Sequence, residues 1–128
     1  MMAWMSLSDL VYGNTEKKDN QTIRNELSLI LSDLIKVDNR IKVIVFGSVA
    51  RRLATIQSDY DLAVIVDDAI HLKEFRHQFY FQRQKVKFPV DFIFRSQSQF
   101  EQKKESNPID NEIAETGIEI YPHWNLND

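Results

Sequence analysis

The stretch IKVIVFGSVARRLATIQSDYDLAVIV, Ile41 to Val66, limits what this chain can fold into more than any other. Its two ends, IKVIVF (Ile41 to Phe46) and YDLAVIV (Tyr60 to Val66), are short, apolar and rich in β-branched residues, and read as buried strands. Between them stand Gly47-Ser48, then ten residues, then Asp59-Tyr60-Asp61. Side chains alternate along a strand, so Asp59 and Asp61 project together, while Tyr60, Leu62, Val64 and Val66 form an apolar row that needs a core. Two neighbouring carboxylates repel unless a proton or a cation lies between them. The second strand must therefore bury one face and open its start to a ligand.

The remaining elements frame this pair. Ile23, Leu27, Ile30, Leu31, Leu34 and Ile35 recur at helical intervals and predict a helix from Thr22, capped by Asn20 or Thr22 and broken at Asp38-Asn39. Leu72, Phe75 and Phe79 predict a second helix over about 69–83, with Asp67-Asp68 placed to cap it. KVKFPVDFIF, Lys85 to Phe94, predicts a third strand, in which Pro89 argues for an edge position or a bulge. Ile109, Ile113 and Ala114 predict a last helix that stops at Gly117 as its C′ residue, and IEIY (Ile118 to Tyr121) a closing strand. This mixed order means an α/β or α+β fold, a mixed β-sheet with flanking helices. A chain of 128 residues suits one domain. Because Gly13 to Gln21 is loose in composition, the expected division is an N-terminal arm and linker over 1–21 and a domain over 22–128.

The chemistry gathers at the polar stretch. Asp91 lies in the otherwise apolar PVDFIF, where a charge is costly unless paired or liganded. With the second and third strands as neighbours, it completes a cluster with Asp59 and Asp61. Such oxygen ligands suit Mg²⁺, which typically takes one or two carboxylates plus substrate phosphates. Three carboxylates holding two ions about 3.5–4 Å apart is the layout of in-line phosphoryl chemistry. At the other end, Gly47 lets the backbone approach a ligand closely. Ser48 opens a short helix expected from Val49 to about Ala54, whose free N–H groups favour a phosphate. Arg51, one turn on, is placed to meet phosphate oxygens.

Taken together the pattern is specific. GSVARRLATIQSDYDL resembles the signature of the nucleotidyltransferase superfamily related to DNA polymerase β, in its minimal bacterial form, and the similarity runs from roughly Thr22 to Tyr121. The resemblance implies Mg²⁺-dependent transfer of a nucleoside monophosphate from an NTP, with two ions and with release of pyrophosphate. It makes Gly47 and Ser48 the triphosphate-binding pair and Arg51 the basic residue beside them. Asp59, Asp61 and Asp91 become the catalytic, metal-binding carboxylates. Many relatives carry glycine where this chain has Arg52. The small chain is expected to lack the extra domain with which larger relatives bind antibiotics or tRNA ends. In this it resembles the antitoxin half of bacterial HEPN–nucleotidyltransferase (HEPN/MNT) pairs. That likeness implies transfer of AMP from ATP to a tyrosine hydroxyl of a HEPN-type ribonuclease toxin, in a hetero-oligomer with it. Two other functions fit the same residues: an antitoxin that neutralises its partner by masking, and a small-molecule nucleotidyltransferase with an aminoglycoside-like acceptor.

Composition removes other classes. A net charge of −3 gives no basic excess, so no direct nucleic-acid contact is expected. Without cysteine there is no disulfide and no thiolate zinc site, which fits a cytoplasmic protein. The opening MMAWMSLSDLVYG has no basic n-region, and no apolar run approaches the ~18 residues of a membrane span. His71, His77 and His123 lack metal-ligand spacing and read as surface positions. Phe75, Phe79, Tyr80 and Phe81 read as core and partner-facing packing, and Lys103-Lys104 as a solvated turn. Trp4 and Trp124 suit an interface or the closing of the core.

Overall fold

The computed structural model describes residues 17–53 and 59–126; Trp4 and Ala54 lie outside the described residues. Helix α1 (Asn20–Val37) starts slightly before the periodicity suggests. Asp19 caps it, its carboxylate accepting the Thr22 N–H at 2.7 Å, so neither Asn20 nor Thr22 is the cap. A carboxylate there also complements the helix dipole. Then follow β1 (Ile41–Phe46), β2 (Tyr60–Val66), α2 (Leu72–Gln82), β3 (Val90–Ser96), α3 (Gln97–Lys103), α4 (Pro108–Thr116) and β4 (Ile118–Tyr121).

The sheet runs in the order β3-β2-β1-β4. Strand β1 is antiparallel to β2 and β4, and β2 is parallel to β3, so α2 is the crossover between them. On one face Tyr60, Leu62, Val64 and Val66 are buried with Leu27 and Leu34 of α1 and Phe75 and Phe79 of α2. On the other, Ala63 and Ile65 pack with Ile44, Phe46, Phe100 of α3 and Ile113 of α4. Each of the Val, Leu, Ile and Phe side chains among them contributes roughly 1.5–3 kcal/mol by leaving water. The result is three layers, a mixed sheet with helices on both faces. Strand β2 is covered on both sides along its length and stays accessible only where it starts.

Several local expectations change. Helix α2 is shorter than 69–83, because His71 caps it, its Nδ1 accepting the Glu74 N–H at 3.3 Å. Asp67 instead accepts the Ala69 N–H at 2.8 Å, and Asp68 accepts both the N–H and the hydroxyl of Ser98 at 3.0 Å. The two aspartates thus hold a turn and anchor α3. Helix α3 was not foreseen, although its start is written in the sequence as Ser96-Gln97-Ser98-Gln99. The Ser96 hydroxyl accepts the Gln99 N–H, and the Gln99 side chain accepts the Ser96 N–H, a capping box. Lys103 belongs to this helix, and Lys104 pairs with Glu101 at 2.7 Å.

Strand β3 begins at Val90 rather than Lys85, so Pro89 stands just before it, and the strand lies at the sheet edge. Gly117 ends α4 but with φ −68°, so the left-handed conformation is not why glycine stands there. A methyl group at Gly117 would overlap the Ile113 carbonyl and the Ile44 side chain, so close packing of α4 on β1 is the reason. Trp124 closes the core: its ring packs against it and its indole N–H donates to the Leu126 carbonyl at 2.9 Å.

One ion pair fixes α4 to the sheet. Arg95 of β3 donates from its guanidinium to both oxygens of Asp110, at 3.0 and 3.1 Å, and to the Phe94 carbonyl at 3.0 Å. The Asp110 side chain is wholly buried. Removing Arg95 leaves this carboxylate buried and unpaired. Arg95→Ala is expected to lower stability to urea unfolding by about 3–5 kcal/mol, and a loss below about 1 kcal/mol would show that α4 is held by apolar packing alone.

Candidate active site

The register of the sheet decides what stands beside Gly47. Phe46, the last residue of β1, lies opposite Asp61, so Gly47 falls next to the Asp61 side chain. Gly47 has φ +73°, a left-handed conformation that side chains disfavour. A methyl group there would overlap Asp61 Oδ2. The missing side chain makes room for the carboxylate.

From Gly47 the chain makes one helical turn and stops. The Arg51 N–H donates to the Gly47 carbonyl at 3.1 Å, the Arg52 N–H to Val49 at 3.1 Å and the Leu53 N–H to Ser48 at 2.8 Å. The last two bonds, with Arg52 at φ 59°, form the Schellman stop that ends helices. The short helix expected from Val49 is therefore a single turn. Arg52 occupies the left-handed position that glycine takes freely, at a cost of about 1–2 kcal/mol.

Opposite this turn, β2 is pinned by its own tyrosine. Tyr60 is fully buried, and its hydroxyl donates to Glu26 Oε1 of α1 at 2.6 Å. Lys18 donates to the same oxygen at 3.0 Å and stands 4.5 Å above the Tyr60 ring. Burial, then the bond to Glu26, pushes the Tyr60 hydroxyl far up from its usual value and keeps it protonated. With Tyr60 held inward, Asp59 and Asp61 face outward. Asp61 and Asp91 are register partners on adjacent parallel strands.

An open groove of about 460 Å³ is lined by Phe46, Gly47, Ser48, Arg51, Asp59, Asp61, Asp91 and Glu112. All six residues singled out from the sequence are there. Asp91 is exposed, however, rather than buried in an apolar run. Its strand is an edge, and Phe92 and Phe94 take the core face instead. Glu112 was missed: it is half-buried on α4, one residue before the core residue Ile113. Only the docking of α4 brings it here, so no local pattern announces it. The histidines stay out of the groove, with His71 capping α2 and His123 Nδ1 at 3.0 Å from Glu119.

A family model described as a nucleotidyltransferase domain matches residues 24–115. The chain belongs to that family. The family is named for nucleotidyl transfer, and its typical requirements are an NTP and a divalent metal. The fold is also similar to a solved structure of Cid1, an RNA terminal uridylyl transferase, with a TM-score of 0.50 and 21% identity over 66% of this chain. The similar region is 34% of that protein's chain, so this chain spans about a third of its length. No curated protein matches the chain in sequence. Among the described residues, no helix is long and apolar enough to cross a membrane.

The acidic groups of the groove, Asp59, Asp61, Asp91 and Glu112, are oxygen donors that suit a hard divalent ion. Among the described residues, no three acidic or histidine side chains are already gathered closely enough to cage a metal. The charges nevertheless act on one another. Burial raises the Asp61 pKa above its ordinary 3.8, the charges of Asp91, Asp59 and Glu112 raise it further, and Arg51 opposes them. A cation in the groove would relieve this repulsion, and by that criterion the residues fit one.

The sign of the effect on stability follows. Folded Asp61 binds its proton more tightly than the unfolded chain does, so its ionisation costs stability above the raised folded pKa. That cost fades as pH falls through the window from the raised value down to 3.8. Asp61→Asn removes it. In chelator, Asp61→Asn is expected to melt above the wild type at pH 7 and together with it below pH ~3.5. Mg²⁺ should raise the wild-type melting temperature only. Equal melting at pH 7 in chelator, with no response to Mg²⁺, would contradict the reading.

Proposed function

We propose that this nucleotidyltransferase moves AMP from ATP to a tyrosine hydroxyl of a HEPN-type ribonuclease toxin, in the cytoplasm and in complex with it, and so acts as its antitoxin. The observation that carries the reading is the arrangement of three aspartates facing a Gly-Ser turn across an open groove. A groove open at the surface admits a side chain presented by another protein, whereas a small free acceptor is better held in an enclosed pocket.

Asp59, Asp61 and Asp91 would hold Mg²⁺, which supplies neutralisation of the triphosphate and acidification of the acceptor hydroxyl. The chain's own groups do the rest. Gly47 presents bare backbone to the triphosphate, and the Ser48 hydroxyl and Arg51 guanidinium bind its oxygens. Asp91, exposed at the mouth of the groove, takes the proton of the acceptor hydroxyl. The acceptor oxygen bonds to the α-phosphorus, and the bond from that phosphorus to the bridging oxygen breaks, releasing pyrophosphate. Little covalent work is asked of the protein, so positioning and charge dominate.

The test is incubation with α-labelled ATP, Mg²⁺ and the HEPN-type protein encoded beside this chain. Label is expected on a single tyrosine of the partner, and Asp61→Asn is expected to bring it to background while leaving the fold intact. Tight binding without label would instead indicate neutralisation by masking. Label on a small aminoglycoside-like acceptor and not on the partner would sink the protein-acceptor reading.

A further inference from the structure

The face of α2 turned away from the core carries an exposed ring, Phe81, and several cations that the site above does not use. Between residues 71 and 88 the chain holds Lys73, Arg76, Arg83, Lys85 and Lys87 against a single carboxylate, Glu74, a local charge of +4. With 16 Lys and Arg against 19 Asp and Glu in all, the rest of the chain carries −7. At 100° per residue, Lys73, Arg76, His77, Tyr80 and Phe81 share an arc of about 140° opposite Phe75 and Phe79. Phe81 is 90% exposed and Tyr80 48%. Two neighbouring aromatics exposed to this degree, ringed by cations, differ from the scattered single apolar residues of an ordinary surface.

The position of this face matters as much as its chemistry. Because β2 and β3 are parallel, α2 runs back along the sheet, and its C-terminal end returns to the edge where both strands begin. That edge holds Asp59, Asp61 and Asp91. The chain leaving α2 stays close to it: the Phe88 ring meets the Tyr60 ring edge-on at 5.5 Å, and the Pro89 carbonyl accepts the Tyr60 N–H at 3.1 Å. Lys85 and Lys87 are exposed on this segment, which leads directly into Asp91.

We infer that the outward face of α2 and the segment after it dock the acceptor protein, through an acidic patch on that protein centred on an apolar cleft that takes Phe81. The inference rests on the reading above that the acceptor is a protein. Complementary charge fixes the partner's sign, and an exposed aromatic framed by arginine and lysine is the usual make-up of an interface anchor. A nucleic acid fits less well. Tyr80 is already engaged edge-on by Phe92 at 6.1 Å and Phe94 at 5.9 Å, with Arg83 over its ring at 5.9 Å. That leaves one free ring, while a single strand needs successive stacking platforms.

The experiment measures affinity for the HEPN-type protein without ATP, using wild type, Phe81→Ala and Lys73→Glu/Arg76→Glu. These side chains are exposed, so thermal melting should not change, and binding of ATP should not change either. Each variant is expected to weaken the complex at least about tenfold, and the wild-type affinity to fall with added salt. Wild-type affinity in both variants, or no complex with the wild type, overturns the inference. So does a loss by Phe81→Ala of binding to single-stranded RNA, or of self-association, in place of partner binding. The outcomes separate from those for the chemistry. Label transfer with unaltered affinity in the variants sinks the docking face alone. A complex that the variants weaken but that never acquires label sinks the transfer reaction alone.

Discussion

A carboxylate resting on a glycine is the contact on which the rest of this structure depends. Asp61 Oδ2 occupies the space that any side chain at Gly47 would fill. The strand pairing that sets Phe46 against Asp61 therefore works only with glycine in the next position. That glycine must also take φ +73°, which turns the chain toward Ser48 and Arg51. One residue thus satisfies two demands, a left-handed turn and a close approach. Together they put Ser48 and Arg51 beside Asp59, Asp61 and Asp91 in one groove.

The surrounding scaffold holds this contact rigidly in the wall of the groove. Strand β2 is buried on both faces by two separate apolar clusters, and that burial supplies its stability. At its start the covering ends, and polar anchors take over. The Tyr60, Glu26 and Lys18 network holds the strand from below, while the Arg95–Asp110 pair holds α4 and with it Glu112. The accumulated negative charge opposes folding, since Asp61 is pushed toward protonation by burial and by three neighbouring carboxylates. Such a cost is common where a site is built for a ligand not yet bound.

Much of this was legible in the sequence because it depends on short-range pattern. Alternation in YDLAVIV revealed both the strand and which face its aspartates take, and β-branched IKVIVF marked its neighbour. Pro89 offered an edge position or a bulge for β3, and the strand is an edge that starts just after it. What failed required information from distant parts of the chain. Asp91 looked buried because its neighbours are apolar, yet an edge strand leaves alternate positions open. Glu112 belongs to the groove because α4 docks on the sheet through Ile113 and through the Asp110–Arg95 pair, contacts made with distant parts of the chain. The helix after Ser48 stops after one turn because Arg52 closes a Schellman motif, a role usually given to glycine. Asp67 and Asp68 were assigned by proximity to α2, whereas the Ser98 N–H and hydroxyl compete for Asp68 from 30 residues away.

The central claim is that two strands and one turn form a single place for a divalent ion and a triphosphate. Crystals grown with Mn²⁺ and a non-hydrolysable ATP analogue test it directly, since the anomalous signal of manganese locates each ion independently. The account predicts peaks among Asp59, Asp61 and Asp91, with the triphosphate lying along Gly47 and Ser48. Manganese bound elsewhere, or a nucleotide seated away from the Gly-Ser turn, would contradict it.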